Sequence, residues 1–534
     1  MSFSRRDLLK AGLTATALMA APRPLLARFG RRWEPAPPIQ DPRVKDLALR
    51  ALEAARAAGA AYADVRLTHT RSRSFLTRVA DVRDGEQVVV GARALVDGYW
   101  GFASSPVWDV EEMGRLGREA VHQAKVHALG PARAVELAPV PAVRDGHWVM
   151  PVAIDPLEVS PLEIADYLEG LRLFVSRFPD FIPLAPSYSC QVQEKAFASS
   201  EGSYCTQRVY RSEGDVKLQL KQNGQPVYDG ALDTLTPAGV GWELFKGQPI
   251  REQVRRLMED MKDEWKLPEK PVAVGRYDTV CDAWTVARLL DQTLGRATEL
   301  DRALGYEANA GGTSYLTEPL AMVGSYQAGA PTLTVTANRA EPGGAATVAW
   351  DDEGVKPDEF ALVRDGILVD FQTTRESAGW LKAHYAKTGA PLRSHGCAAA
   401  PSALEAPLTH TPNLTLAPGR GTRDVDELIA GMGTGLAVKG GALEMDFQGQ
   451  SGLGRGRVFE VKRGKQVARV VGAGFLFRAN ELWKRLAALG GPAGRRRYGL
   501  GSSKGEPAQH TYHSVTAPPA AFEQLTVIDV LRKA

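Results

Sequence analysis

The residues best able to do chemistry lie between Arg288 and Leu316, where Asp291, Gln292, Arg296, Glu299 and Asp301 follow one another at helical spacing. Carboxylates in such a row can ligate a metal, and the residue types set how far that idea goes. Zinc takes thiolate, imidazole or carboxylate ligands at about 2.0–2.3 Å. Asp291 has such a donor. Arg296 does not, because a guanidinium is permanently cationic and has no free lone pair. Gln292 cannot be a general base, since an amide takes up no proton near neutral pH. Spacing alone supports a plainer reading. An amphipathic helix over 283–300 would bury Trp284, Ala287, Leu290 and Leu294. Asp291, Arg296 and Glu299 would then form a solvated face, with Arg296 and Glu299 paired at i,i+3.

Other candidate groups are scattered. His510 and His513 stand three apart and, in an extended strand, fall on opposite faces, a poor arrangement for one metal. A replacement site built from Asp291 with either histidine is the one metal arrangement these residues leave open. His395 and Cys397 share a glycine-containing loop, but no third group completes a nucleophilic array, and they read as structural. His122 and His127 are incidental on a helix. There is no Gly-Lys-Ser/Thr phosphate loop and no Gly-x-Ser-x-Gly elbow.

Segment 288–316 resembles the active-site helix of the TldD/PmbA peptidase family. Catalytic members read His-Glu-x-x-Gly-His-x-x-Glu-x-Asp; the histidines hold zinc and the first glutamate activates water. In that register Asp291 and Gln292 replace His-Glu, Gly295 is kept and Arg296 replaces the second histidine. Glu299, Asp301, Gly305, Tyr306 and Glu307 continue the pattern. A third ligand in the family is the cysteine of a C-terminal Cys-Gly-Lys-Gly loop. Here the loop reads Gly501-Ser502-Ser503-Lys504-Gly505, with Ser502 at that position. The resemblance extends to Gly91–Leu95 with Gly98–Ser105, to Ser200-Glu201-Gly202, to Asp351–Val355 and to Asp365–Leu368, so it runs from about residue 45 to about 530.

The resemblance implies an α+β fold, with an α/β N-terminal region and a β-rich C-terminal domain holding the site. It also implies a partner subunit of the same family and an unfolded peptide as substrate. No catalytic residue is expected at the degenerate positions Asp291, Gln292, Arg296 and Ser502. Arg296, Glu299 and Asp301 become the expected substrate-binding residues, Arg296 as a receiver of a substrate carboxylate. No metal or other cofactor is expected. Two alternatives stay open: an active zinc metallopeptidase with an atypical site, and a periplasmic binding or scaffold protein unrelated to proteolysis.

Ser4-Arg5-Arg6-Asp7-Leu8-Leu9-Lys10 followed by the apolar run Ala11–Ala21 is close to a twin-arginine export signal. The run falls short of the roughly 20 apolar residues that span a bilayer. The expected location is therefore the periplasm or beyond. With 534 residues, 44% of them hydrophobic, the chain is long enough for two or three globular domains. A net charge of +3 gives no drive toward nucleic acid or anionic lipid. The four cysteines have no Cys-x-x-Cys spacing. Cys190 and Cys205 could meet on neighbouring strands as a disulfide or remain buried thiols.

The elements that must position these groups read as follows. Residues 1–30 form the signal, 41–130 an N-terminal α/β domain, 155–266 a central domain and 268–534 the C-terminal domain. Asp41-Pro42 and Asp109 open helices, and Ser160-Pro161-Leu162-Glu163 reads as a capping box. Helices are expected over 251–265, 424–432 and 479–489. Asp365-Gly366 is a strong hairpin signal and Arg463-Gly464 a weaker one.

Overall fold

The computed structural model describes residues 37–76, 81–128, 130–131, 135–421 and 423–532. The proposed export signal lies outside the described residues. Ile39–Ala534 forms one compact unit. No helix among the described residues is long and apolar enough to cross a membrane.

The N-terminal layer follows the local signals. Asp41 caps the helix Pro42–Ala57, accepting from the Arg43 amide at 2.9 Å with proline at the first helical position. Asp109 caps Val110–His127 through the Glu112 amide at 2.8 Å. Both helices lie on one face of a six-stranded sheet, burying Val44, Leu52, Leu116 and Val121 against Val65, Leu67 and Val90. Two glycines set the spacing of these layers. A Cβ on Gly101 would lie 2.0 Å from the Ala120 carbonyl, and one on Gly117 would lie 2.2 Å from the Ala51 carbonyl. Backbone cannot yield as a side chain can. Gly101→Ala is therefore expected to destabilise this layer by about 1–3 kcal/mol, read as faster limited proteolysis of the N-terminal region. Unchanged proteolysis would mean that the helix is not seated on the sheet.

The sheet crosses the expected boundary between the N-terminal and central domains. Its strand order is Tyr99–Ser105, Asp81–Val96, Tyr62–Leu76, Ser187–Ser199, Tyr204–Asp215, Gly146–Val149. Strands from 187–215 thus complete the sheet begun at residue 62, so residues 41–130 do not make a domain alone. The Pro- and Ala-rich stretch at 129–157 has a linker's composition, but composition carries no record of which strands pair across it. The central helices Pro161–Ser176 and Ile250–Lys266 cover a three-stranded sheet around Trp242, Phe245 and Met261. Ser160 stands at the first helix's N-cap but makes no side-chain cap bond, so the expected capping box is not formed.

In the C-terminal region the strands Gly275–Cys281, Thr434–Met445, Ser451–Lys462, Ala473–Arg478 and Ala520–Asp529 close into a ring. The first half of Ser451–Lys462 pairs with Ala473–Arg478, and its second half pairs with Lys465–Val471. A second sheet of six strands ends on the hairpin Arg496–Lys504 and Gln509–Ala517. Both hairpin signals are realised, with Asp365 and Gly366 at φ 49° and 81° and Arg463 and Gly464 at 52° and 70°. The helix expected at 479–489 is not. Only Ala479–Leu482 is α-helical, one 3₁₀ turn follows, and Leu486–Leu489 pairs with the last strand. Burial of Leu486 and Leu489 against that strand overrides helix propensity.

Ion pairs, most of them buried, join the N-terminal sheet to the C-terminal region. Arg93 bridges Asp64 at 2.6 Å and Glu353 at 3.1 Å, Lys195 pairs with Asp352, and Arg375 meets Glu201 at 2.8 Å. Burial and the Glu353 charge push the Asp351 carboxyl up to about 7. All four cysteines are buried free thiols. Cys190 lies opposite Ser212 and Cys205 opposite Phe197, so the two sit on neighbouring strands, out of register for a disulfide.

Candidate functional site

The site helix begins at Asp282, whose carboxylate accepts from the Thr285 amide at 2.8 Å and the Gly440 amide at 2.8 Å. Ala283–Leu290 is α-helical, and Asp291–Gly295 widens into a single π turn. Such turns release backbone groups from the regular ladder and recur at functional sites. Here the released groups are taken up by side chains. Thr293 Oγ1 donates to the Leu289 carbonyl at 2.6 Å and accepts from Trp483 Nε1 at 2.8 Å. Gln372 Nε2 donates to the Gly295 carbonyl at 2.6 Å and to Thr298 Oγ1 at 2.9 Å.

The C-terminal hairpin closes over this helix. Its register pairs Leu500 with His513, Ser502 with Thr511 and Lys504 with Gln509, which places these six residues on one face. From that face His513 Nε2 meets Asp291 Oδ1 at 2.9 Å. Lys504 Nζ reaches Glu299 Oε2 at 3.0 Å and Asp301 Oδ1 at 2.7 Å. Ser502 shares this face, and His510 is exposed on the other, as strand alternation requires.

Asp291 is buried with both oxygens engaged, Oδ2 accepting from Gln292 Nε2 at 2.6 Å. Burial alone would raise its carboxyl, but the His513 charge and hydrogen bond outweigh burial and hold it below the usual carboxylate range. Glu299 is fully buried and accepts from Thr411 at 3.0 Å, Lys504 at 3.0 Å and Arg302 at 2.8 Å. Its burial is likewise overcome, by Lys504 first and Arg302 next, and the carboxyl is held far below its ordinary value. His410, beside Lys504, is pushed down to about 3 by burial and that charge.

This geometry replaces the expected solvated face. Asp291 and Glu299 are internal, and the i,i+3 pair is Glu299 with Arg302. Arg296 instead donates to Gln292 Oε1 at 3.1 Å and to the Gly311 carbonyl at 3.1 Å. Of the residues expected to meet substrate, Arg296 lines a cleft of about 300 Å³ with Gln292, Arg302, Thr313, Phe447 and Ser503. Glu299 and Asp301 lie against Lys504 and hold the helix to the hairpin. Lys504, Gln372 and Thr411 are the positioning residues that local patterns did not single out. For Lys504 a signal existed: it stands two residues from Ser502, on the same face of one strand.

Positions 291, 292, 296 and 502 do not make up a zinc site. The one metal donor among the four positions, Asp291, is saturated by His513 and Gln292. Arg296 puts a cation beside it, and Ser502 offers only a neutral hydroxyl. Among the described residues no three His, Cys, Asp or Glu gather as a ligand set. His395 is committed elsewhere, between Asp358 at 3.1 Å and Asp370 at 3.0 Å, and stacks on Phe360 at 3.8 Å. Burial pushes the Cys397 thiol up, so it remains an unreactive structural group.

Comparison with known proteins agrees with this architecture. Residues 274–529 match the PmbA/TldA metallopeptidase C-terminal domain, and residues 63–124 match domain 1 of the same family. The chain belongs to the PmbA/TldD metallopeptidase family. A metalloprotease of Methanocaldococcus jannaschii is 23% identical over 387 residues, covering 71% of this chain and 78% of that protein. A metalloprotease of Methanothermobacter thermautotrophicus is 26% identical over 393 residues, covering 71% and 76%. Among solved structures, a proposed modulator of DNA gyrase from Thermotoga maritima superposes with a TM-score of 0.68 at 15% identity, covering 91% of this chain and 100% of that one. TldE from Thermococcus kodakarensis gives 0.66 at 13% identity, covering 91% and 99%. Identities this low carry the fold alone.

Proposed function

We propose that this chain is a non-catalytic member of a PmbA/TldD assembly that binds peptide without cleaving it. The observation behind the reading is the Asp291–His513 pair beside Arg296, in a helix whose surrounding scaffold is intact. A charge-paired arrangement at these positions leaves a shaped cleft without the means to activate water. Peptide would enter in extended form, its backbone satisfied by strand addition. A partner subunit of the same family, carrying the histidine and glutamate residues absent here, would supply the hydrolysis. The Ser4–Lys10 twin-arginine pattern supports export, which would place the assembly in the periplasm or outside.

Elemental mass spectrometry on the mature chain purified alone is the test. Zinc is expected far below one equivalent, and peptidase activity on unfolded casein at background. Near-stoichiometric zinc together with chelator-sensitive cleavage would replace this reading with that of an atypical metallopeptidase.

A further inference from the structure

The cleft over the site helix sets two guanidinium groups among carboxylates that already have hydrogen-bond donors. Its neighbouring carboxylates are all engaged: Asp291 by His513, Glu299 by Lys504 and Arg302, Asp301 by Lys504, and Glu307 by the Gly505 amide at 3.0 Å. Asp446, on the cleft wall, accepts from the Gln450 amide at 2.8 Å and the Ser451 amide at 2.9 Å. Arg296 is half-buried in the same lining, yet both of its hydrogen-bond acceptors are neutral oxygens. A second guanidinium stands beside it. Arg302 is buried, and its Nη2 has no hydrogen-bond partner although Nε and Nη1 are bonded. A desolvated cation facing a cleft, with a buried donor left over next to it, is a site built for an anion.

We propose that this cleft is a carboxylate subsite that takes the C-terminal carboxylate of a peptide, with Arg296 as its anchor and Arg302 supporting it. The proposal rests on the peptide-binding reading above and specifies which part of the peptide is held. A cleft of about 300 Å³ is at the small end for ligand pockets and suits a chain terminus better than a chain passing through. It adjoins a larger cleft of about 820 Å³, the two sharing Met445 and Asp446 in their linings. Leu453, Leu476 and Phe477 in that second cleft offer apolar surface to the residues preceding the terminus. Planar, bidentate recognition of a carboxylate also explains why arginine, rather than lysine, suits position 296.

The test compares a short unstructured fluorescein-labelled peptide as its free acid and as its C-terminal amide, by fluorescence anisotropy with the full mature chain. The acid is expected to bind roughly 10- to 100-fold more tightly, the weight of a charge-assisted pair. R296M should erase that difference between acid and amide, and R296K should keep part of it. Equal binding of acid and amide by the unmodified protein would overturn the subsite while preserving peptide binding. Failure of both forms to bind would remove the peptide reading and the subsite together. A phosphoserine peptide amide that bound as tightly as the acid would also overturn the assignment to a chain terminus.

Discussion

Lys504→Met is expected to lower the unfolding free energy of the C-terminal region by about 3–5 kcal/mol at neutral pH. Lys504 is fully buried between Glu299 and Asp301, which stand at the start of the short helix Leu300–Ala303 just after the site helix. Methionine matches its length but removes the charge. Glu299 would then rely on Arg302 and Thr411 alone, in a place where an unpaired carboxylate costs several kcal/mol. Urea denaturation followed by tryptophan fluorescence would report the loss, since Trp483 is buried and bonded to Thr293 in the site helix. Two further results are expected if the cause is the orphaned charge. The penalty should shrink at low pH, as Glu299 takes up a proton. Adding Glu299→Gln to Lys504→Met should also recover part of the loss, a non-additivity that a double-mutant cycle measures. Strict additivity of the two substitutions would show that Lys504 acts by packing alone.

The second large effect is on pH dependence and centres on His395. Its imidazole is buried, which opposes its charge, but Asp358 and Asp370 bond to its two ring nitrogens and raise it from 6.5 to about 9. The groups facing it are those two aspartates, Arg393 on Asp358 at 3.3 Å, the Tyr385 hydroxyl on Asp370 at 3.0 Å, and the ring of Phe360. A histidine raised in the folded state stabilises fully below its unfolded value of 6.5, and this contribution disappears as pH climbs through about 9. At 1.36 kcal/mol per pH unit the gap is worth about 3 kcal/mol. His410 has the opposite sign. Pushed down to about 3, it stabilises above 6.5 and withdraws that support as pH falls toward 3. Denaturation across pH 5–10 should therefore show stability falling on the alkaline side of 6.5. His395→Gln should be less stable at pH 6 and nearly flat from 6.5 to 9. An unchanged alkaline slope in that variant would show that another group controls it.

Much of the architecture was legible locally, because caps and tight turns depend on residues within a few positions of one another. Asp41-Pro42, Asp109, Asp365-Gly366 and Arg463-Gly464 each carried their own geometry, and each is found as read. Where a local signal had to compete with a distant partner it failed. Ser160 makes no cap bond, and residues 486–489 form a strand because the last strand lies there to pair with. The continuity of the first sheet across residues 129–157 was invisible for the same reason.

At the site the division is sharper. Sequence by itself determined the family resemblance and the chemical poverty of positions 291, 292, 296 and 502, since side-chain type alone decides what can ligate a metal or take up a proton. Only the tertiary structure decided what these residues pair with. Asp291 finds His513 across 222 positions, and Glu299 finds Lys504 across 205. These partners are selected by the register of the C-terminal hairpin against a helix from a different part of the fold. Burial then turns charges that read as solvated into paired ones, and leaves Arg296 as the cation facing the cleft.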